Sequence, residues 1–467
     1  MSLEEEITAA RCVHMGNFHP CTLHTMSSPQ GSSNDEPASI QNSGPSPRVT
    51  LVAEASTSTS SHPTSFYRNA QWTADGTSII ASTSDNKLCT YVLPENLLGD
   101  NGRDPLPLQP QGLLQLPEPF YAAAPSPYFS LQDPSTHTVL LSPKDHPLQL
   151  HRLFPDHHPG TPSQICNYKL IRKETEEYIT AESLLWTWPG THFLVGSSNR
   201  LDYFDVMRTG SDGPTLTIAT IPSKRHTLKG GGVGMKGMVS ALSIQAPSSS
   251  ATPLVAAGTW TRWLGLYDLA RSNKPVSNWS VRGVVDATFD TPDDGGGVVQ
   301  TIWSPCGRYL VINERRASSI LVYDVRGTGQ PINALVGRAT DTQQRLTCDV
   351  FAGDESSGGG FEVWAGTGDG TVMVWEGVGS RPGLLDKSWS FAAHESPVGA
   401  SVLHPSGSVV ATCSGAWTIT SDADVSSSSE THNGMASLGS SAASITKDCR
   451  VGVWAIGMGG QHQTEDV

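Results

Sequence analysis

Short runs of Val, Ile, Leu and aromatic residues recur along this chain, separated by turns built from Gly, Pro, Asp and Asn. Runs this short and rich in β-branched and aromatic residues predict many short β-strands and hardly any helix. Four of the turns align: Ala74-Asp75-Gly76, Pro189-Gly190, Pro305-Cys306-Gly307 and Pro405-Ser406-Gly407 each sit between two apolar runs and read as hairpin turns. The run before each turn ends near Trp72, Trp188, Trp303 or Leu403, and each unit closes on Tyr91, Phe204, Tyr323 or Trp454. An acid follows several closing aromatics, as in Phe204-Asp205, Tyr267-Asp268, Tyr323-Asp324 and Trp375-Glu376. This is a worn Trp-Asp repeat.

Asp85, Asp369 and Asp448 each lie six residues before a closing aromatic, in DNKLCTY, DGTVMVW and DCRVGVW. A carboxylate there, in the tight turn between two blade strands, can accept backbone N–H bonds, so these three are read as structural turn residues. Closing strands end near Tyr91, Leu153, Phe204, Tyr267, Tyr323, Trp375 and Trp454, which predicts seven blades. With polar inserts at 95–125, 210–236 and 416–446 set aside, about 43 residues remain per blade, inside the span of this repeat. Blade 2, placed at roughly 127–154, has the faintest pattern. The strand-like segment VTLVA at 49–53 is left over, and pairing as the outer strand of the last blade would close the ring and remove an exposed edge. The fold class is therefore all-β, a seven-bladed WD-repeat β-propeller at 47–456. Residues 1–46 are expected to form a disordered N-terminal tail, because Ser, Thr, Pro, Gly and Asn dominate 27–46, and 457–467 a disordered C-terminal one.

Composition narrows the function. The 467 residues carry 44 acids against 30 Lys and Arg, a net charge of −14, which excludes sequence-independent wrapping of nucleic acid and confines any such contact to a local patch. No apolar run is long enough to span a bilayer and the acidic N-terminus has no signal-peptide core, so a soluble, intracellular monomer with no membrane partner is expected. Eight scattered cysteines form no Cys-x-x-Cys pair and read as free, mostly buried thiols.

Candidate cations cluster. Lys224, Arg225, His226, Lys229 and Lys236 fall in one Gly-rich loop without an acid among them, suited to phosphate contacts or simply solvated. Arg262 beside Trp260 and Trp263 offers a guanidinium with π surfaces for single-stranded bases, although both Trp residues can equally pack in the core. Arg315 and Arg316 occupy the turn before the closing strand of blade 5, a rim position shared with Arg262. Gly232 to Gly237 satisfies G-x-G-x-x-G but lacks the strand–helix setting of a dinucleotide site and the Gly-Lys-Ser/Thr of a P-loop. The Cys12, His14, His19, Cys21 and His24 spacing does not fit a zinc module, and Asp156-His157-His158 reads as a polar loop. No nucleophile–base spacing supports catalysis, so no enzyme, metal or cofactor is expected.

The stretch 67–94 (YRNAQWTADGTSIIASTSDNKLCTYVLP), the segment 336–350 (VGRATDTQQRLTCDV) and Leu264-Gly265-Leu266-Tyr267 resemble the telomerase Cajal body protein family of WD-repeat propellers. In the second segment the matching positions are Gly337-Arg338, Thr340, Thr342 and Gln344-Arg345. The resemblance implies a nuclear protein, in the Cajal body or nucleoplasm, that binds a loop of box H/ACA small Cajal-body RNA or telomerase RNA and assists its assembly or localisation. Its implied partners are small nuclear RNA and ribonucleoprotein proteins, of a dyskerin-type H/ACA core or of the spliceosome. A fungal-type relative is tied to pre-mRNA splicing, and a protein-only scaffold remains the alternative. Arg338 and Arg345 bracket a segment too polar for a strand interior, hence a rim loop. They are read as RNA contacts, or, for Arg345, as a structural ion pair with an acid such as Asp341.

Overall fold

The computed structural model describes residues 47–57, 64–99, 104–155, 162–222, 234–247, 252–353, 360–420, 442–446 and 448–457. Seven antiparallel sheets stand in a ring, and consecutive strands of each sheet run from the channel outwards. Blade 1 is Tyr67–Trp72, Ser78–Thr83, Lys87–Val92 and Gly112–Gln115. Blade 2 is Phe120–Pro125, Thr138–Pro143, Leu148–Arg152 and Gln164–Tyr168. Blade 3 is Ser183–Thr187, His192–Ser197, Arg200–Asp205 and Leu216–Ala219. Blade 4 is Val239–Ile244, Val255–Thr259, Trp263–Tyr267 and Pro275–Ser280. Blade 5 is Val298–Trp303, Tyr309–Glu314, Ile320–Asp324 and Asn333–Leu335. Blade 6 is Cys348–Ala352, Phe361–Gly366, Thr371–Val378 and Trp389–Ala392. Blade 7 is Val398–Leu403, Val409–Ser414 and Arg450–Gly457, completed by Arg48–Ser56 from the other end of the described chain.

That last pairing is the ring closure expected from 49–53. Arg48–Ser56 runs antiparallel to Arg450–Gly457 from Arg48 opposite Gly457 to Ser56 opposite Arg450, and Ala53 and Ala55 are buried. Two further strands cap blade edges: Leu106–Pro107 adds in parallel to Arg48–Ser56, and Gly383–Leu385 to Asn333–Leu335. Pairing these outer edges removes unpaired backbone groups that would otherwise template aggregation.

Seven apolar clusters among the described residues fill the seams between neighbouring blades. The closing aromatics lie in them: Phe204, Tyr267, Tyr323 and Trp375 are fully buried, Tyr91 and Trp454 nearly so. The acid after the aromatic turns the chain towards the outer strand. Asp205 Oδ1 accepts the Met207 N–H at 2.9 Å, and Asp324 Oδ1 the Arg326 N–H at 3.0 Å. In the hairpin turns Gly76 and Gly407 hold φ of 71° and 73°, and a Cβ at either would strike a ring of the preceding blade, His404 or Phe351, so these two positions need glycine twice over.

Blade 7 alone carries a complete polar brace among the described residues of the repeat. Thr412 Oγ1 lies 2.7 Å from His394 Nε2 and 2.8 Å from Trp454 Nε1, and His394 Nδ1 faces Asp448 Oδ2 at 3.4 Å. In blade 6 the corresponding Trp375 Nε1 is buried without a partner among the described residues, the physical meaning of a worn repeat.

The structure moves several sequence boundaries. Blade 2 runs from Phe120 to Tyr168, wider than 127–154. The insert 95–125 contains the outer strand of blade 1 and the inner strand of blade 2, and 210–236 contains the outer strand of blade 3. Outer strands are half solvated and their polar residues disguise them. The insert 416–446 carries a hairpin of Trp417–Thr420 and Ala442–Ile445. The expected N-terminal tail, all but Gly457 of the C-terminal one, and the Cys12–His24 and Asp156–His158 clusters lie outside the described residues. Cys89, Cys348, Cys413 and Cys449 are buried free thiols, Cys166 is partly exposed and Cys306 is exposed.

Candidate nucleic-acid interface

Alternation of strand direction puts two kinds of loop on the same face of the ring: those leading into each innermost strand, and the turns joining second to third strands. Hydrogen bonds lace them together, from Thr340 Oγ1 to the Arg316 carbonyl at 2.7 Å and from the Glu395 N–H to Asp448 Oδ2 at 2.7 Å. Trp260, Arg262, Arg315, Arg316, Arg338, Arg345, Asp85, Asp369 and Asp448 all fall in these loops.

Their chemistry separates them. Arg262 is buried, its Nε 2.5 Å from Glu314 Oε2 and its Nη1 2.9 Å from Asp293 Oδ2. Burial works against its charge, but the two carboxylates outweigh that and hold its pKa above the usual value. Arg338 is buried too, donating from Nε to the Gly366 carbonyl at 2.8 Å, from Nη1 to Asn313 Oδ1 at 2.8 Å and from Nη2 to the Leu346 carbonyl at 3.1 Å. Loss of hydration pulls it down to about 10, so it stays charged at neutral pH. Both guanidinia tie neighbouring loops together and neither is open to a ligand in this arrangement.

Arg345 behaves differently. It pairs with Glu182 at 2.6 Å, not with Asp341. Glu182 leads into the innermost strand of blade 3 and Arg345 into that of blade 6; these blades are not neighbours, so the pair spans the mouth of the central channel. Two more arginines converge there. Arg68, at the start of the innermost strand of blade 1, lies 5.5 Å over the Phe120 ring and donates from Nη2 to the Phe120 carbonyl at 3.4 Å, while its buried Nε has no acceptor among the described residues. Arg315 sits 6.0 Å over the ring of Trp260, which is 42 % exposed. Burial and then the nearby Arg345 charge depress the pKa of both Arg68 and Arg315. Burial raises that of Glu182 against the pull of Arg345 and Arg315. Three arginines thus share the mouth with Glu182, and Asp85, itself paired with Lys87, also acts on Arg68, in a protein whose net charge is −14. Tyr121, 41 % exposed, lies near Arg68, and Arg316 is exposed on the same turn as Arg315.

Lys236 is exposed and its carbonyl accepts the Thr261 hydroxyl, whereas Lys224, Arg225, Lys229 and the first part of the Gly-rich motif lie outside the described residues. Asp85 and Asp369 brace their own turns, while Asp448 also ties its turn to the loop entering blade 7. Asp85 pairs with Lys87 at 2.7 Å, Asp369 accepts the Thr367 hydroxyl and, at 3.2 Å, the Thr371 N–H, and Asp448 bonds Glu395 and Arg450. Sequence reasoning missed Arg68, Tyr121 and Glu182. A lone charge at the start of an inner strand was the available signal for the first and last. Among the described residues no three His, Cys, Asp or Glu are grouped to hold a metal, and no helix is long and apolar enough to cross a membrane.

Comparison with known proteins found relatives at low identity over long spans. Human telomerase Cajal body protein 1 is 25 % identical over 368 residues, 76 % of this chain and 58 % of that protein. The resemblance read from the sequence thus extends over most of the chain. The guanine nucleotide-binding protein negative regulator 1 of Schizosaccharomyces pombe is 26 % identical over 315 residues, 67 % of this chain and 71 % of its own length. Protein SWT21 of Vanderwaltozyma polyspora is 26 % identical over 317 residues, 65 % of this chain and 66 % of that one. The chain spans less than three fifths of the telomerase Cajal body proteins it matches. No family model matches it.

Proposed function

We propose that this protein is a nuclear ribonucleoprotein adaptor, a scaffold rather than an enzyme, that binds a single-stranded loop of a small RNA and presents it to protein partners. The observation that carries the reading is the channel mouth, where Arg68, Arg315 and Arg345 outnumber Glu182 and Trp260 offers an exposed ring. Phosphates meet the cations, and an unstacked base meets the aromatic face. The RNA class that the resemblance supports is a box H/ACA Cajal-body RNA or a telomerase RNA loop, in keeping with the name of the human relative. Ultraviolet crosslinking in intact nuclei, followed by sequencing of the bound RNA, tests it; enrichment of one class of small nuclear RNA is the expected result.

A second reading, a protein-only scaffold in splicing or another nuclear complex with indirect RNA association, draws on the opposite face. There Trp188, 61 % exposed, lies 5.7 Å from the ring of Tyr128, itself 42 % exposed, and such an aromatic patch suits a peptide. Co-purified proteins with no crosslinked RNA above background would establish this reading and overturn the first.

A further inference from the structure

The structure points to more than a positive surface. We infer that Arg68, Arg315 and Arg345 form a phosphoryl-binding site at the channel mouth, and that Glu182 is its internal competitor, occupying Arg345 until an incoming phosphate displaces it. That the phosphate belongs to RNA rests on the function proposed above; the site itself rests on geometry.

Four observations converge. Arg68 and Arg315 have no carboxylate partner among the described residues, although the protein carries a large excess of acids. The buried Nε of Arg68 is a donor without an acceptor, a costly arrangement that an anion oxygen would relieve. Glu182 is joined to Arg345 by a single hydrogen bond, from Nη2 to Oε2, so the paired donor geometry that arginine offers to a phosphate is unused there. Finally, the three arginines come from blades 1, 5 and 6 and Glu182 from blade 3, and Arg345 lies close enough for its charge to act on both Arg68 and Arg315, so the four side chains gather at one mouth from different blades.

Glu182 then has a defined role. A mouth holding three uncompensated guanidinia would repel itself and attract any polyanion. A single internal carboxylate lowers that self-repulsion, holds Arg345 towards the axis and sets a threshold that only a better ligand passes. A phosphodiester in a flexible single strand can offer an oxygen to Arg345 while neighbouring phosphates reach Arg68 and Arg315, and Trp260 beside Arg315 stacks a base. In its present position the Glu182 carboxylate also feels the charge of Arg315.

The test uses the full chain and two probes: a fluorescent oligouridylate of about ten nucleotides, read by anisotropy, and inorganic pyrophosphate, read as competition and as a rise in melting temperature. E182Q keeps the shape of the side chain and removes the competing charge. It is expected to tighten oligouridylate binding by about threefold or more, with a melting temperature close to that of the wild type. R68M and R315M, at partly exposed positions, are expected to weaken it by about fivefold or more and to reduce the slope of log affinity against log salt by about one each. Pyrophosphate should compete with the wild type and fail to stabilise the R68M/R315M double variant. A folded E182Q protein that binds no more tightly than the wild type overturns the competitor role. Oligouridylate binding unchanged in the double variant overturns the site, while the adaptor reading survives through other loops. Pyrophosphate stabilisation that needs Arg68 and Arg315, without any oligouridylate binding, supports the site and overturns the RNA reading.

Discussion

Thr412 is where the integrity of the last blade is most open to test. It is fully buried, and its hydroxyl joins two other buried groups. The hydroxyl oxygen accepts the Trp454 indole N–H and shares a hydrogen bond with His394 Nε2, whose direction follows the imidazole tautomer, while Nδ1 lies near both Asp448 and the Arg450 Nε. Thr412→Val keeps the shape and removes the oxygen, stranding the Trp454 indole N–H and the His394 Nε2. Each buried polar group left alone costs about 1–3 kcal/mol, so the pair comes to about 2–4 kcal/mol after partial relaxation. With an unfolding entropy of about 2.1 cal/mol/K per residue over a ring of this size, that corresponds to a fall of about 2–5 °C in Tm. Thr412→Ser, which keeps the hydroxyl and gives up one methyl group, is the control. Calorimetry and urea titration of both variants decide the matter. A Thr412→Val protein at least as stable as Thr412→Ser would show that the brace contributes nothing and that blade 7 is held by packing alone.

The remaining expectations concern pH, a buried cation and the ring closure. Asp349 accepts the Leu403 N–H at 2.8 Å and the Val350 N–H at 2.9 Å, yet burial pushes its carboxyl up to about 6. Its folded pKa exceeds the unfolded one, so it gains a proton on folding and its contribution grows as pH falls from about 7 to about 4. The stability difference between wild type and Asp349→Asn should therefore increase with acidification, and a constant difference across that window refutes the assignment. His394, whose pKa burial lowers, acts in the opposite sense and makes the wild type less stable below its unfolded pKa of about 6.5, which is why the difference rather than the absolute slope must be read. Arg338→Met strands Asn313 Oδ1 and removes a donor from the carbonyls of Gly366 and Leu346, the latter still held by Asn313 Nδ2 at 2.7 Å, and should cost about 3 kcal/mol in denaturant titrations, while the folded fraction keeps its RNA affinity; a stable variant that had lost RNA binding would reverse that assignment. Removal of residues 1–46 should leave Tm little changed, whereas removal of 1–57 takes away Arg48–Ser56 and should lower it sharply; equal melting temperatures would refute the closure.

What the chain determines by itself is whatever depends on neighbours a few residues apart. Alternating apolar runs, a Gly at the positive-φ position of each hairpin turn and an aromatic followed by an acid are local signals, and together they specify strands, turns and a count of seven. The closing segment 49–53 was also readable, because a strand left over after seven units has one place to go. The fourth strands Gly112–Gln115 and Leu216–Ala219 were hidden in apparent inserts, since an outer strand is half solvated and carries a polar pattern. Which arginine is spent on the fold and which faces a ligand was decided only by the ring. Arg262 meets Glu314 from 52 positions away, Arg338 meets Asn313 and Gly366, and Arg345 meets Glu182 at a separation of 163. Closing a ring brings loops from distant blades to one axis, and no periodicity along the chain says which side chain of each loop will point there, because that choice depends on acceptors supplied by other blades.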